Sequence, residues 1–251
     1  MLREDTVFGP IRSRRLGESL GINILPTKGK LCNFDCIYCE CGWNSDGRAD
    51  SAIPSASEVR RALEDKLSAL LLEGASIDSI TFSGDGESTI HPEFPAIVDD
   101  TLKLRDAYFP QARVSVLSNA TRAHVDEVFR ALSRVDAPIM KIDAPTNALA
   151  ALVNRPAGEY DVARVIEALK RFEGDFILQT MFLRSPLFDS SSPEVLEPWM
   201  DIVRELHPRS TMVYTIARPT PMQGLSKFSE SEMKALVRPL VDEGFEIEVF
   251  G

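Results

Sequence analysis

All four cysteines of this 251-residue chain fall within ten residues, as Cys32, Cys36, Cys39 and Cys41. Disulfides stabilise most when they close long loops in small secreted domains, so a cluster this dense has no use as a staple. Metal ligation is the sensible reading. Cys32, Cys36 and Cys39 stand at x3 and x2 spacings, a tandem that lets one loop wrap three corners of a cubane, and thiolates are the ligands that iron–sulfur clusters use. Three protein ligands leave one iron open to a cofactor or substrate. The alternative is a structural zinc site that also takes Cys41. Zinc sites more often pair two Cys-x2-Cys knuckles across a longer stretch. Cys39-x-Cys41 is too tight for both thiols to reach separate corners, so Cys41 reads as a thiol beside the site.

The chain around this loop is 44% apolar and 26% charged, which is enough to bury one substantial core. One domain is expected, with an N-terminal extension over 1–18, a partial barrel over 19–243 and a C-terminal strand over 244–251. No stretch approaches the roughly 20 apolar residues of a membrane span, and the opening residues lack the layout of a signal peptide, so a cytoplasmic chain without a membrane partner is expected. The formal net charge of −10 weighs against a nucleic-acid surface, whose affinity comes mostly from phosphate neutralisation. Residues 1–30 are +3 (Arg3, Arg12, Arg14, Arg15, Lys28 and Lys30 against Glu4, Asp5 and Glu18) and the remainder −13. A local anion site and solvated charges on an extended segment both fit.

From residue 19 onward short apolar runs alternate with amphipathic stretches, the pattern of βα units around a parallel sheet. The runs predict strands over 20–25, 77–82, 114–118, 139–143, 176–183 and 212–216, covered on both faces. Helical stripes follow: Val59 to Leu71 behind a Ser55/Glu58 capping box and ahead of Gly74, then 94–107, Val125 to Leu132, Val162 to Leu169 and 194–206. A last stripe runs from Met233 to Leu240 behind Ser229/Glu232, with Pro239 expected to kink or shorten it. The run 245–250 predicts an edge strand. Six βα units are two short of a closed barrel, so the fold class expected is α/β, a partial (β/α)6 TIM-like barrel, with a flat doubly wound sheet as the alternative.

Strand tips are where such folds keep their chemistry. The second strand ends in Gly84-Asp85-Gly86-Glu87, where two glycines permit close backbone approach to a ligand and a carboxylate suits an ammonium. Ser118 and Asn119 end the third and suit ribose hydroxyls or a helix N-cap. Lys141 and Asp143 point the same way at the fourth and could form an ion pair. Downstream, Asn154-Arg155-Pro156, Gln179 and Arg218 stand where a substrate would arrive. The two arginines suit an anion, or surface salt bridges. His91 reads as a turn residue, and His124 and His207 as surface helix positions.

Cys-x3-Cys-x2-Cys with Tyr38 just before the third cysteine resembles the radical SAM superfamily. The resemblance implies a [4Fe-4S] cluster on Cys32, Cys36 and Cys39 inside a partial (β/α)6 barrel, with S-adenosyl-L-methionine on the open iron. Gly84, Asp85, Gly86 and Glu87 then match a Gly-Gly-Glu-like motif for the methionine amino group, from which Asp85 departs. Tyr38, Ser118, Asn119, Lys141 and Asp143 become cofactor contacts, and Arg155, Gln179 and Arg218 substrate-side residues. The implied reaction is reductive cleavage to a 5′-deoxyadenosyl radical that abstracts hydrogen from a substrate, fed by an electron donor such as flavodoxin or ferredoxin. The run from Gly9 to Gly21 followed by the cysteine loop is similar to wyosine-synthase-related iron–sulfur oxidoreductases. A small metabolite, a polypeptide or a tRNA remains open as substrate. From another class, a non-catalytic iron–sulfur or zinc protein would share the cysteines without needing the glycine–glutamate turn.

Overall fold

A computed structural model describes residue 2, residues 5–46 and residues 52–251; Arg3 and Glu4 of the basic N-terminal segment lie outside the described residues. The chain divides into two compact units interleaved along the sequence, one of residues 1–32, 44–118 and 125–138, the other of 33–43, 119–124 and 139–251.

The first unit holds β1 (Val7–Ser13), antiparallel to β2 (Gly17–Ile22), which runs parallel to β3 (Ser79–Phe82) and that in turn to β4 (Arg113–Ser118). Strand β1 falls inside the segment read as an N-terminal extension. Gly9 and Pro10 lie within a register shift between Phe8 and Ile11 and break the alternation that marks a strand. Gly21 makes room for the Phe8 ring across this hairpin, since a Cβ there would sit 2.1 Å from the ring and oblige it to move. Leu20, Ile80 and Val114 form one buried row, and Ile22, Phe82 and Val116 another. The opposite face is not apolar, as continuous runs would require. Ser19, Ser79, Thr81 and Ser115 are buried there in a ladder of hydroxyl hydrogen bonds 2.8 to 3.0 Å long. Each hydroxyl can donate and accept, so the row satisfies itself without charge.

Helix α1 (Ala56–Leu72) starts on the expected capping box, Ser55 with Glu58, and Gly74 follows its end at φ +68°. Helices α2 (Phe94–Tyr108) and α3 (Asp126–Leu132) complete the unit, with His91 as the expected turn residue: its ring nitrogens bond the Pro54 carbonyl and the Glu93 N–H.

In the second unit β5 (Ala137–Lys141, counted from Ile139), β6 (Ile177–Arg184), β7 (Ser210–Thr215) and β9 (Ile247–Phe250) run parallel, and β8 (Ser226–Lys227) is antiparallel to β6. Helices α4 (Asn147–Val153), α5 (Val162–Lys170), α6 (Pro193–Leu206) and α7 (Glu230–Asp242) connect them. Helix α4 is apolar at every position after Asn147, so no polar face sets off a stripe; its start is marked by the Thr146 hydroxyl accepting from Leu149 N. Pro239 does not shorten α7, which continues to Asp242 behind the Ser229/Glu232 capping box. His124 lies outside a helix and His207 is a left-handed C-cap, so neither is the surface helix residue expected. Among the described residues no helix is long and apolar enough to cross a membrane.

Candidate active site

In the first unit the turn after β3 is built around backbone contact. A Cβ on Gly84 would sit 2.1 Å from Asn23 Oδ1, and one on Gly86, at φ +146°, would sit 1.8 Å from the Leu31 carbonyl oxygen. Both glycines are therefore required by sterics. Leu31 pairs with Gly86 as an isolated parallel bridge, its N–H donating to Asp85 O (2.9 Å) and its carbonyl accepting from Glu87 N (3.0 Å). The residue before Cys32 is thereby fixed to the glycine turn. Asp85 has a structural part here. It is buried, with Oδ2 accepting from Asn23 Nδ2 at 3.2 Å while its own N–H donates to Asn23 Oδ1 at 3.1 Å. Glu87, also buried, accepts from Thr89 N, Thr89 Oγ1 and Ser118 Oγ on one oxygen, Oε1. Ser118 thus positions the acid and caps no helix.

In the second unit the loop over 33–43 is clamped by the last residue of α4 and the segment that follows it. Phe34 pairs with Pro156 antiparallel, Ala157 N donates to Asn33 O (2.8 Å), and Ile37 N donates to Val153 O (3.0 Å). Asn119, next to Ser118 in sequence, joins a different network, donating to Asn33 Oδ1 at 2.7 Å and accepting from the Thr121 hydroxyl at 2.7 Å. A cavity of about 540 Å³ opens beside this group, lined by Phe34, Thr121, His124, Tyr160 and Arg164.

Cys36 and Tyr38 are buried, whereas Cys39 and Cys41 are partly exposed. Tyr38 donates its hydroxyl to Asp143, which also accepts from Asn154 Nδ2 (2.6 Å) and Met181 N (2.9 Å). Lys141 donates to Tyr214 Oη at 2.6 Å, lies 3.9 Å from Asp143 Oδ2, and stands 4.5 Å over the Tyr38 ring. The expected ion pair is present. Burial opposes the Lys141 ammonium, yet Asp143, Tyr214 and Cys36 outweigh it and raise its pKa. Burial pushes the Cys36 thiol up to about 11, against the attraction of Lys141 and the hydrogen bond from Asn154. The same burial, with Asp143 beside it, raises Tyr38 well above an ordinary tyrosine.

Gln179, on β6 in register with Lys141 on β5, is buried, and its Nε2 has no hydrogen-bond partner. Arg155 is exposed, with φ +47° and its guanidinium 4.9 Å from the Trp43 ring centre; Arg218 is exposed and ion-paired with Glu40. Asn23, Asn33, Trp43 and Tyr214 were absent from the sequence-derived site. Tyr214 alone carried a usable signal, a polar aromatic near the tip of the sixth strand.

The chain is similar to a GTPase Obg of Brachyspira hyodysenteriae (27% identity over 93% of this chain, 33% of that protein). It is similar also to a UPF0026 protein of Methanocaldococcus jannaschii, 28% identical over 84% of this chain and 64% of that one. The chain thus spans from a third to under two thirds of these relatives. Among solved structures, a radical SAM methyltransferase from Sphaerobacter thermophilus matches 92% of this chain and 66% of its own at 15% identity and TM-score 0.67. Streptococcus suis SuiB bound to S-adenosylmethionine matches 89% and 49% at 14% identity and TM-score 0.65. This likeness shows an α/β fold of the partial-barrel kind shared by those structures. The Radical SAM superfamily model matches residues 27–184, more than half of the sequence, and the chain belongs to that superfamily. The family implies an iron–sulfur cluster and S-adenosylmethionine.

The residues fit such a cluster by their chemistry. Cys32, Cys36 and Cys39 would supply three thiolates, the ligands that iron–sulfur clusters use. Among the described residues no three Cys, His, Asp or Glu side chains are gathered as a ready metal-ion site.

Proposed function

We propose that this protein cleaves S-adenosylmethionine reductively at a [4Fe-4S] cluster held by Cys32, Cys36 and Cys39. The observation that carries the reading is the Leu31–Gly86 bridge, which ties the first cysteine of the loop to the Gly84–Glu87 turn by two backbone hydrogen bonds. A loop serving only as a metal knuckle has no need of that attachment. When bound, the cluster supplies the electron that breaks a sulfur–carbon bond of the cofactor and yields a 5′-deoxyadenosyl radical.

The chain's own groups supply binding and orientation. Glu87, oriented by Thr89 and Ser118, presents a carboxylate for the methionine ammonium. Lys141, kept cationic, is suited to the methionine carboxylate, and Asp143 with Tyr38 to hydroxyls. Gln179, with its unpartnered donor, and the exposed Arg155 and Arg218 are assigned to the substrate side, where a C–H bond must be held against the radical and water excluded. A flavodoxin or ferredoxin is the proposed electron donor.

The test is anaerobic iron–sulfur reconstitution, dithionite reduction and chromatographic assay for 5′-deoxyadenosine with S-adenosylmethionine present. Its formation, dependent on reductant and on each of the three cysteines, is expected. Well-loaded protein that neither forms it nor binds S-adenosylmethionine would overturn the proposal.

A further inference from the structure

The carboxamide of Asn154 is buried at 2% exposure against the cysteine loop. Its orientation follows from its partners: Asp143 accepts the tyrosine proton of Tyr38, so the Asn154 atom 2.6 Å from the same carboxylate oxygen must be the NH2 group. One N–H is spent there. The NH2 group also lies 3.4 Å from Cys36 Sγ and 3.4 Å from Tyr38 Oη. That distance is at the outer edge for an oxygen acceptor and ordinary for the larger sulfur atom. The second N–H therefore goes to the sulfur.

The backbone holds this geometry. Asp35 N donates to Asn154 O at 2.9 Å, between the Asn33–Ala157 and Ile37–Val153 hydrogen bonds, so Asn154 is strapped to the cysteine loop through main chain and side chain together.

We propose that Asn154 is a positioning residue whose N–H···S hydrogen bond to Cys36 raises the one-electron reduction potential of the cluster; the inference rests on Cys36 being a cluster ligand. A donor on a ligand sulfur stabilises the added negative charge of the reduced cluster more than the oxidised one, and burial strengthens the effect. Nothing in the sequence separates Asn154 from its neighbour Arg155, which reads as the more chemically useful residue of the pair.

The experiment is an EPR-monitored redox titration of the full chain after anaerobic reconstitution, for the parent, Asn154→Ala, Asn154→Ser and Val153→Ala. Both Asn154 variants are expected to carry iron and sulfide as the parent does, with a more negative midpoint. Val153→Ala loosens the same segment without touching the sulfur, and is expected to lower the melting temperature while leaving the midpoint in place. A parent-like midpoint in the Asn154 variants, an equal shift in Val153→Ala, or cluster loss in both Asn154 variants would overturn the proposal. A parent that takes up no iron and sulfide counts instead against Cys36 as a ligand.

Discussion

The Gly84–Glu87 turn of the first unit and the Cys36 pocket of the second are both buried, but they are held by different forces. The turn is tied down by backbone hydrogen bonds, by two steric requirements for glycine, and by three donors on one glutamate oxygen. The pocket gathers a lysine, an aspartate, two tyrosines and a thiol around one ion pair. The first arrangement fixes a shape. The second sets an electrostatic environment, at the cost of groups that depend on one another: each charge is tolerated only because its partner is present.

The sharpest test of that contrast is Cys36→Ala, which should abolish both cluster retention and 5′-deoxyadenosine formation, while Cys41→Ala retains both; iron and sulfide analysis with chromatography reads the outcome. Turnover equal to the parent in Cys36→Ala would sink the assignment. Next in size, Asp143→Ala leaves Tyr38, Asn154 and Met181 N without their shared acceptor and Lys141 without its counter-charge, and should cost about 3–5 kcal/mol in denaturant unfolding, as breaking one side of a buried pair does. A cost under about 1 kcal/mol would mean that the pocket is held by packing instead.

Gly86→Ala should act on the turn by geometry alone, pushing the Leu31 carbonyl away and costing about 2 kcal/mol, the size of an overpacked site. It should also lower iron uptake, because Leu31 precedes Cys32; undiminished uptake would uncouple the turn from the cysteine loop.

The smallest effect lies outside both regions. Ser229→Ala should cost about 1 kcal/mol through the lost cap of α7. Its partner Glu232 is held down to about 2 by the Ser229 backbone and side chain and by Arg184. A depressed carboxylate contributes stability that is present above its ordinary value of 4.5 and is lost as the pH falls toward 2. Melting temperatures measured across that interval should fall more steeply for the parent than for Glu232→Gln.

Local signals were legible in the sequence to the extent that their cause is local. The capping boxes of α1 and α7, the apolar strand runs of each unit and the Gly84–Glu87 turn each depend on residues a few positions apart. Strand β1 was hidden because Gly9 and Pro10 interrupt its alternation, and α4 because its residues after Asn147 are all apolar and give no contrast between faces. The expectation of strands apolar on both faces missed the Ser/Thr ladder, where hydroxyls bury themselves by pairing across strands.

By itself the sequence pointed to the superfamily, singled out the cysteine loop and gave the succession of strands and helices, since spacing and periodicity are properties of the chain alone. Only the tertiary structure decided which polar groups serve that loop. Tyr38 meets Asp143 across 105 positions and Asn154 meets Cys36 across 118, separations over which no periodicity operates and only folding can choose a partner.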